Sequence, residues 1–246
     1  MRGLITAIRT LTVVPVPGRD ASRLADALPY FPAVGVILGG LVTLGGQGLL
    51  AAVPGWTAGA ASVMLLAEML LTGAIHTDGL GDAADSLGAG RDRGRALAIM
   101  KDPRQGSFGV VAIALSLLFR WVAYARLLEG ADGWGLVIGA FAVSRAGTAQ
   151  LAAFQPYARA EEGTGRPFVG EGRILPVAAG WLITAGIAVF IAKWAGLVAL
   201  GLGTGFAWAF GCWCRGRYGG VTGDLLGAHT EISLVLALFL LAVLHR

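Results

Sequence analysis

Seven apolar stretches, each near the length that crosses a bilayer, constrain this chain more than any other feature. A helical span takes about 20 mostly apolar residues. Residues 31–53, 57–75, 107–128, 134–154, 174–193, 195–213 and 228–244 meet or approach that requirement. Turn chemistry separates most of them: Pro54-Gly55, Gly130 with Gly133, Pro156, Pro167 and Gly219-Gly220. Only 14% of residues are charged, where a soluble domain carries roughly 25%. A chain so poor in charge cannot cover a water-facing surface. That excludes a soluble enzyme, a disordered protein and an ordinary nucleic-acid-binding domain. The expected fold is an all-α, polytopic integral membrane bundle of about seven transmembrane helices, forming one membrane-embedded catalytic domain over residues 1–246. The segment before residue 31 is amphipathic, carries prolines, and suits the membrane interface. Cys212 and Cys214 have neither zinc nor redox spacing.

Charge placement predicts orientation. With the N-terminus inside, segments 1–30, 76–106, 155–173 and 214–227 face the cytoplasm. They hold fourteen of the nineteen Lys and Arg residues, and the opposite side holds three. Excess positive charge marks the cytoplasmic side, so N-in and C-out is expected. Eleven of the fifteen acidic residues fall on the same side. Transporters usually gather polar groups near the bilayer midplane. Polar groups crowded at one interface instead suit an enzyme drawing its substrates from the cytosol.

The stretch His76-Thr77-Asp78-Gly79-Leu80-Gly81-Asp82-Ala83-Ala84-Asp85 sets three carboxylates at i, i+4 and i+7. On a helix these share a face and repel one another. Capping aspartates in a solvated loop would account for one of them, not for three in register. A divalent cation between them removes the repulsion, and Mg²⁺ is typically held by one or two carboxylates plus substrate phosphates. Asp78, Asp82 and Asp85 are therefore the expected metal ligands, with His76 beside them as a candidate acid–base group.

A basic run follows. Arg91, Arg93 and Arg95 fit headgroup contact. Lys101 and Arg104 precede the Gly106-Ser107-Phe108-Gly109 entry to a span, where helix N–H groups favour an anion. They are expected to bind phosphate, with Arg159 of a later cytoplasmic segment. Thr222 and Asp224 lie in a glycine-rich turn, Gly219-Gly220-Val221-Thr222-Gly223-Asp224, of a kind that serves either as a tight turn or as a phosphate cradle; they are expected to contact substrate. Within the spans, Glu68 is expected to pair with Arg120 or Arg145 as packing glue, and Glu231 is a further costly charge.

Taken together, HTDGLGDAADSLG (76–88), IMKDPRQGSFG (99–109), Ser144-Arg145 followed by Pro156-Tyr157-Ala158-Arg159 and Glu162-Gly163, and GGVTGDLLGA (219–228) resemble the cobalamin synthase family, the adenosylcobinamide-GDP ribazoletransferases. TVVPVP (12–17) and FPAVGVILG (31–39) extend the resemblance over the whole chain. It implies an enzyme of vitamin B12 biosynthesis in the cytoplasmic (inner) membrane of a prokaryote. The 3′-hydroxyl of α-ribazole, or of its 5′-phosphate, attacks the corrinoid-side phosphorus of adenosylcobinamide-GDP, and GMP leaves. Mg²⁺ is the implied ion. Transfer at a pyrophosphate needs positioning and charge neutralisation, which the aspartates and cations above would supply. Asp85 is the expected general base, with His76 as the other candidate. The partners are then small-molecule substrates and the bilayer, with no nucleic acid; a homo-oligomer stays open. Two alternatives are a CDP-alcohol-type phospholipid phosphotransferase and a small-molecule transporter.

Overall fold

The computed structural model describes residues 1–130, 132–159, 163, 165–170 and 174–245, and the described residues are helical almost throughout. The helices are α1 (Arg2–Leu11), α2 (Phe31–Ala52), α3 (Thr57–Thr72), α4 (Ile75–Asp85), α5 (Arg93–Ile99), α6 (Ser107–Leu127), α7 (Gly133–Phe154), α8 (Ile174–Tyr218) and α9 (Gly223–Leu244). Five helices among the described residues are long and apolar enough to span a membrane, and α3 reaches that measure only together with α4, from which it is bent by 88°. Phe108, Val111, Leu118, Leu182, Phe190, Leu202 and Trp208 all lie exposed on the bundle's outside. So much exposed apolar surface is what a lipid-facing wall requires.

Three of the seven expected segments differ from the sequence reading. Residues 57–75 do not form one straight span. Gly73 (φ 61°) closes α3 in the left-handed conformation, Ala74 follows at φ 55°, and α4 leaves at 88° to α3. A non-glycine residue there costs on the order of 1 kcal/mol. The chain accepts that strain beside the acidic motif, and local strain of this kind tends to gather at functional sites. From that bend α4 turns to pack against α9 and the start of α6, with Asp78 exposed at one end of the bundle.

The expected segments 174–193 and 195–213 are assigned to the single helix α8. A β-carbon on Gly203 would nevertheless lie 4.0 Å from Trp181. In a straight helix these residues would stand about 33 Å apart, so the chain doubles back between them. The first arm is short, with Val177–Ile187 as its apolar part.

α7 lies at the centre, with nearly all its residues buried between α2, α8 and α9. The bundle interior also holds a charged group. Arg120 on α6 meets Glu68 of α3 at 2.7 Å and Glu231 of α9 at 2.7 Å. The Tyr124 hydroxyl donates to Glu68 at 2.9 Å, and Ser116 donates to Glu231 at 3.1 Å. The expected role of Glu68 as interhelical glue is met through Arg120. Arg145 on α7 rests instead over the Phe141 ring at 4.7 Å.

Candidate active site

The site forms where three connections meet at one end of the bundle. Tyr157 and Val221 make a parallel bridge, with Ala158 N–H donating to Val221 O and Val221 N–H to Pro156 O, each at 2.8 Å. This pins the loop after α7 to the turn before α9. Gly220 sits in the bridge at φ 152°, where a β-carbon would collide with the Pro156 carbonyl oxygen. The bridge delivers Arg159 to Asp224: Arg159 Nη2 donates to Asp224 Oδ2 at 2.8 Å, while its buried Nε has no hydrogen-bond partner. Arg93 ties α5 to the same loop, donating to Ala158 O at 2.9 Å. On the other side, Ser86 and Tyr218 share a hydroxyl–hydroxyl contact of 2.9 Å that holds the end of α4 to the end of α8.

α4 packs directly against the start of α9. A β-carbon on Gly79 would lie 2.9 Å from the Asp224 carbonyl oxygen. This brings Asp78 and Asp224 to one cavity of about 390 Å³, lined also by His76, Phe31, Phe168, Thr148 and Thr230. Asp82 lies one turn further along α4 from Asp78. Burial, then the negative charges of Asp78, Asp224 and Asp85, push its carboxyl up to about 6. The result is an acidic cluster drawn from two helices, with Arg159 as the cation seen on it.

Several expected site residues take other positions. Asp85 turns away from the cluster toward the start of α6. Its carboxylate accepts hydrogen bonds from Gln105 Nε2 (2.7 Å), Gly106 N–H (2.7 Å) and Gly109 N–H (2.8 Å). An ionised side chain at a helix N-terminus is favoured by both the free N–H groups and the dipole. Here Asp85 fills the anion position expected for phosphate. Arg104 is exposed and paired with Asp102 through Nε at 2.9 Å and Nη2 at 2.7 Å, and it holds the Asp102 carboxyl down to about 2. Lys101 is exposed in the turn after α5. Thr222 is buried as the N-cap of α9, its Oγ accepting from Leu225 N–H at 3.2 Å. Its hydroxyl also donates to Asp224 at 3.2 Å, so it serves the cluster by orienting that carboxylate. Glu161 and Glu162 of the motif lie outside the described residues.

Three site features escape sequence reasoning. Gln105 clamps Asp85 from twenty residues away. Thr148 and Thr230 bring hydroxyls to the cavity from the interior of α7 and α9, their Oγ atoms 2.8 Å apart. The available signal was hydroxyl spacing, Ser144 with Thr148 and Thr230 with Ser233, in helices otherwise apolar.

No three His, Cys, Asp or Glu side chains among the described residues converge as a ready-made metal cage. The donor chemistry fits a hard cation completed by substrate oxygens, the usual mode of Mg²⁺. Asp78 and Asp224 provide carboxylates on one cavity, and Asp82 adds surplus negative charge.

The family model of cobalamin-5-phosphate synthase matches residues 3–242. The adenosylcobinamide-GDP ribazoletransferase of Chlorobaculum parvum is 40% identical, covering 99% of this chain and 96% of that protein. The protein of that name from Chlorobium phaeobacteroides is 42% identical over 96% of this chain and 95% of its own length. That from Syntrophobacter fumaroxidans is 38% identical over 98% of each. No solved structure matches the chain.

Proposed function

This chain belongs to the cobalamin-5-phosphate synthase family, and from that membership we propose that it is an adenosylcobinamide-GDP ribazoletransferase acting at the acidic end of its bundle. The observation that carries the site assignment is the meeting of Asp78 and Asp224, from separate helices, on one cavity. Carboxylates brought together in this way are unfavourable unless positive charge is expected between them.

In the proposed reaction the ribazole 3′-oxygen forms a bond to the corrinoid-side phosphorus. The phosphorus–oxygen bond to GMP breaks, and GMP departs with the electron pair. Asp78 and Asp224 would hold Mg²⁺, which supplies charge neutralisation at the diphosphate when bound. Arg159, beside Asp224 and with its Nε unpartnered, is placed to turn toward phosphate oxygens. The hydroxyl proton goes to Asp82, one turn along α4 from Asp78, whose carboxyl is pushed up to about 6 by burial and its acidic neighbours. Asp85 serves as the anchor of α6, its oxygens already engaged by three donors.

The site end is proposed to face the cytoplasm, with the N-terminus inside. The connections gathered there carry Arg93, Arg159, Arg166, Arg215 and Arg217, which fits the positive-inside rule. Two of the three intramembrane charges that favour a transporter, Glu68 and Arg120, are bound to one another inside the bundle, which supports the transferase reading over it.

The test is GMP release by the purified full-length protein from adenosylcobinamide-GDP plus α-ribazole or its 5′-phosphate, with and without Mg²⁺. The proposal expects release that needs both substrates and the ion. Release from a CDP-linked lipid donor instead would overturn it.

A further inference from the structure

The cavity beside the acidic cluster has two chemically different ends. Asp78 is exposed, whereas Thr148 and Thr230 are almost wholly buried. Thr230 follows Asp224 by six residues on α9, so the cavity runs about 9 Å from the carboxylates into the bundle. Its walls along that path are mostly apolar and aromatic, with Thr10 and His76 as polar members. Phe31 and Phe168 form a tilted pair with centroids 6.3 Å apart, and Leu11, Ala152 and Leu226 add apolar surface.

The geometry points to this cavity as the binding subsite for the nucleoside acceptor, with the benzimidazole base of α-ribazole packed against the Phe31–Phe168 pair and its ribose at the aspartates. The inference rests on the transferase reading above. Three observations carry it. The volume of about 390 Å³ is near the lower limit of small-molecule sites, roughly 300–1,000 Å³. It suits one nucleoside and excludes a corrin ring with its amide arms. The donor must therefore approach from outside, which places the diphosphate at the exposed aspartates and the attacking hydroxyl between the two substrates.

The walls suit a base that is aromatic and nearly devoid of polar edges. The buried end offers few hydrogen bonds, as such a base requires. Thr230 gives its hydroxyl proton to Leu226 O at 2.9 Å. The Thr148 hydroxyl sits among Ser144 O (3.1 Å), His229 Nδ1 (3.0 Å) and Thr230 Oγ. It can turn to meet the one free ring nitrogen of a benzimidazole.

The test uses full-length protein and two variants. Ala152 is a small buried residue of the cavity wall, and Ala152→Phe fills the space. Thr148→Val keeps the shape and removes the hydroxyl. GMP release is measured while each substrate is varied in turn. Ala152→Phe is expected to raise KM for α-ribazole about tenfold or more, with KM for adenosylcobinamide-GDP within about twofold of wild type. Thr148→Val is expected to raise KM for α-ribazole by about three- to tenfold, with kcat little changed. Unchanged KM for α-ribazole in both variants, or a larger rise for the corrinoid, overturns the assignment. Should the wild type release no GMP, the transferase reading falls. The cavity is then read by direct binding of α-ribazole, followed through benzimidazole fluorescence. Binding lost in Ala152→Phe upholds the subsite, and absence of binding to wild type overturns it.

Discussion

Two charged clusters are built from the same pair of helical neighbourhoods and obey opposite rules. In the bundle interior, Glu68, Arg120 and Glu231 are linked at 2.7 Å, Tyr124 satisfies the second Glu68 oxygen, and Ser116 donates to the Glu231 oxygen that Arg120 also meets. At the end of the bundle, Asp78, Asp82 and Asp224 gather with Arg159 as the paired cation. The first cluster balances its two carboxylates with Arg120 and the buried Arg145 guanidinium, whose charge both carboxylates feel, and it serves packing. The second keeps negative charge in surplus and opens onto a cavity. Both use α9, with Asp224 in its first turn and Glu231 two turns deeper. Where charge is neutralised it holds helices together, and where it is left over it awaits a ligand.

Substitution separates the two most strongly. Asp78→Asn and Asp224→Asn are expected to lower kcat for GMP release by about a thousandfold, the upper range for loss of one electrostatic contact to a transition state. The melting temperature of Asp78→Asn should stay at or above that of wild type, since a repulsion is removed, whereas Asp224→Asn also gives up the Arg159 pair and should melt a few degrees lower. Arg120→Met is expected to do the reverse. Leaving two buried carboxylates unpaired costs about 3–5 kcal/mol, or about 10 °C in melting temperature, while the folded fraction keeps nearly normal kcat. A variant of the inner cluster that melts normally but has no activity would erase the distinction.

Much of this contrast can be read from sequence, and the remainder has identifiable causes. The i, i+4, i+7 aspartates announced a carboxylate face, and Glu68 and Arg120 announced an internal pair, because both signals are local or concern the cost of charge in lipid. The transferase chemistry was legible through the motifs, which the family match bears out. The partners of each aspartate were not legible. Asp85 is claimed by Gln105 and the start of α6, and Asp224 is carried to Asp78 by contact between Gly79 and the α9 backbone. Those are long-range packing events with no local signature. The bend after α3 was half visible. Gly73 is an ordinary helix stop, but Ala74 at positive φ is imposed by tertiary context.

Acidity should sharpen the comparison further. The Asp82 carboxyl, pushed up to about 6, must be ionised to accept a proton. The kcat profile should therefore fall as pH drops through about 6, by about tenfold per unit below it, with Mg²⁺ moving the midpoint downward. A profile flat through that range would remove Asp82 from the role. The smallest effect is expected at Arg104. It is exposed and committed to Asp102, so Arg104→Ala should change KM and kcat by less than about twofold.

The central claim is that the surplus charge at Asp78 and Asp224 is a divalent-cation site. Its most direct test is the melting temperature of the purified protein, without substrates, as Mg²⁺ is titrated. The account predicts saturable stabilisation of wild type, as for any ligand bound only by the folded state, and its loss in both Asp78→Asn and Asp224→Asn. Equal stabilisation of all three proteins, or of none, would contradict it.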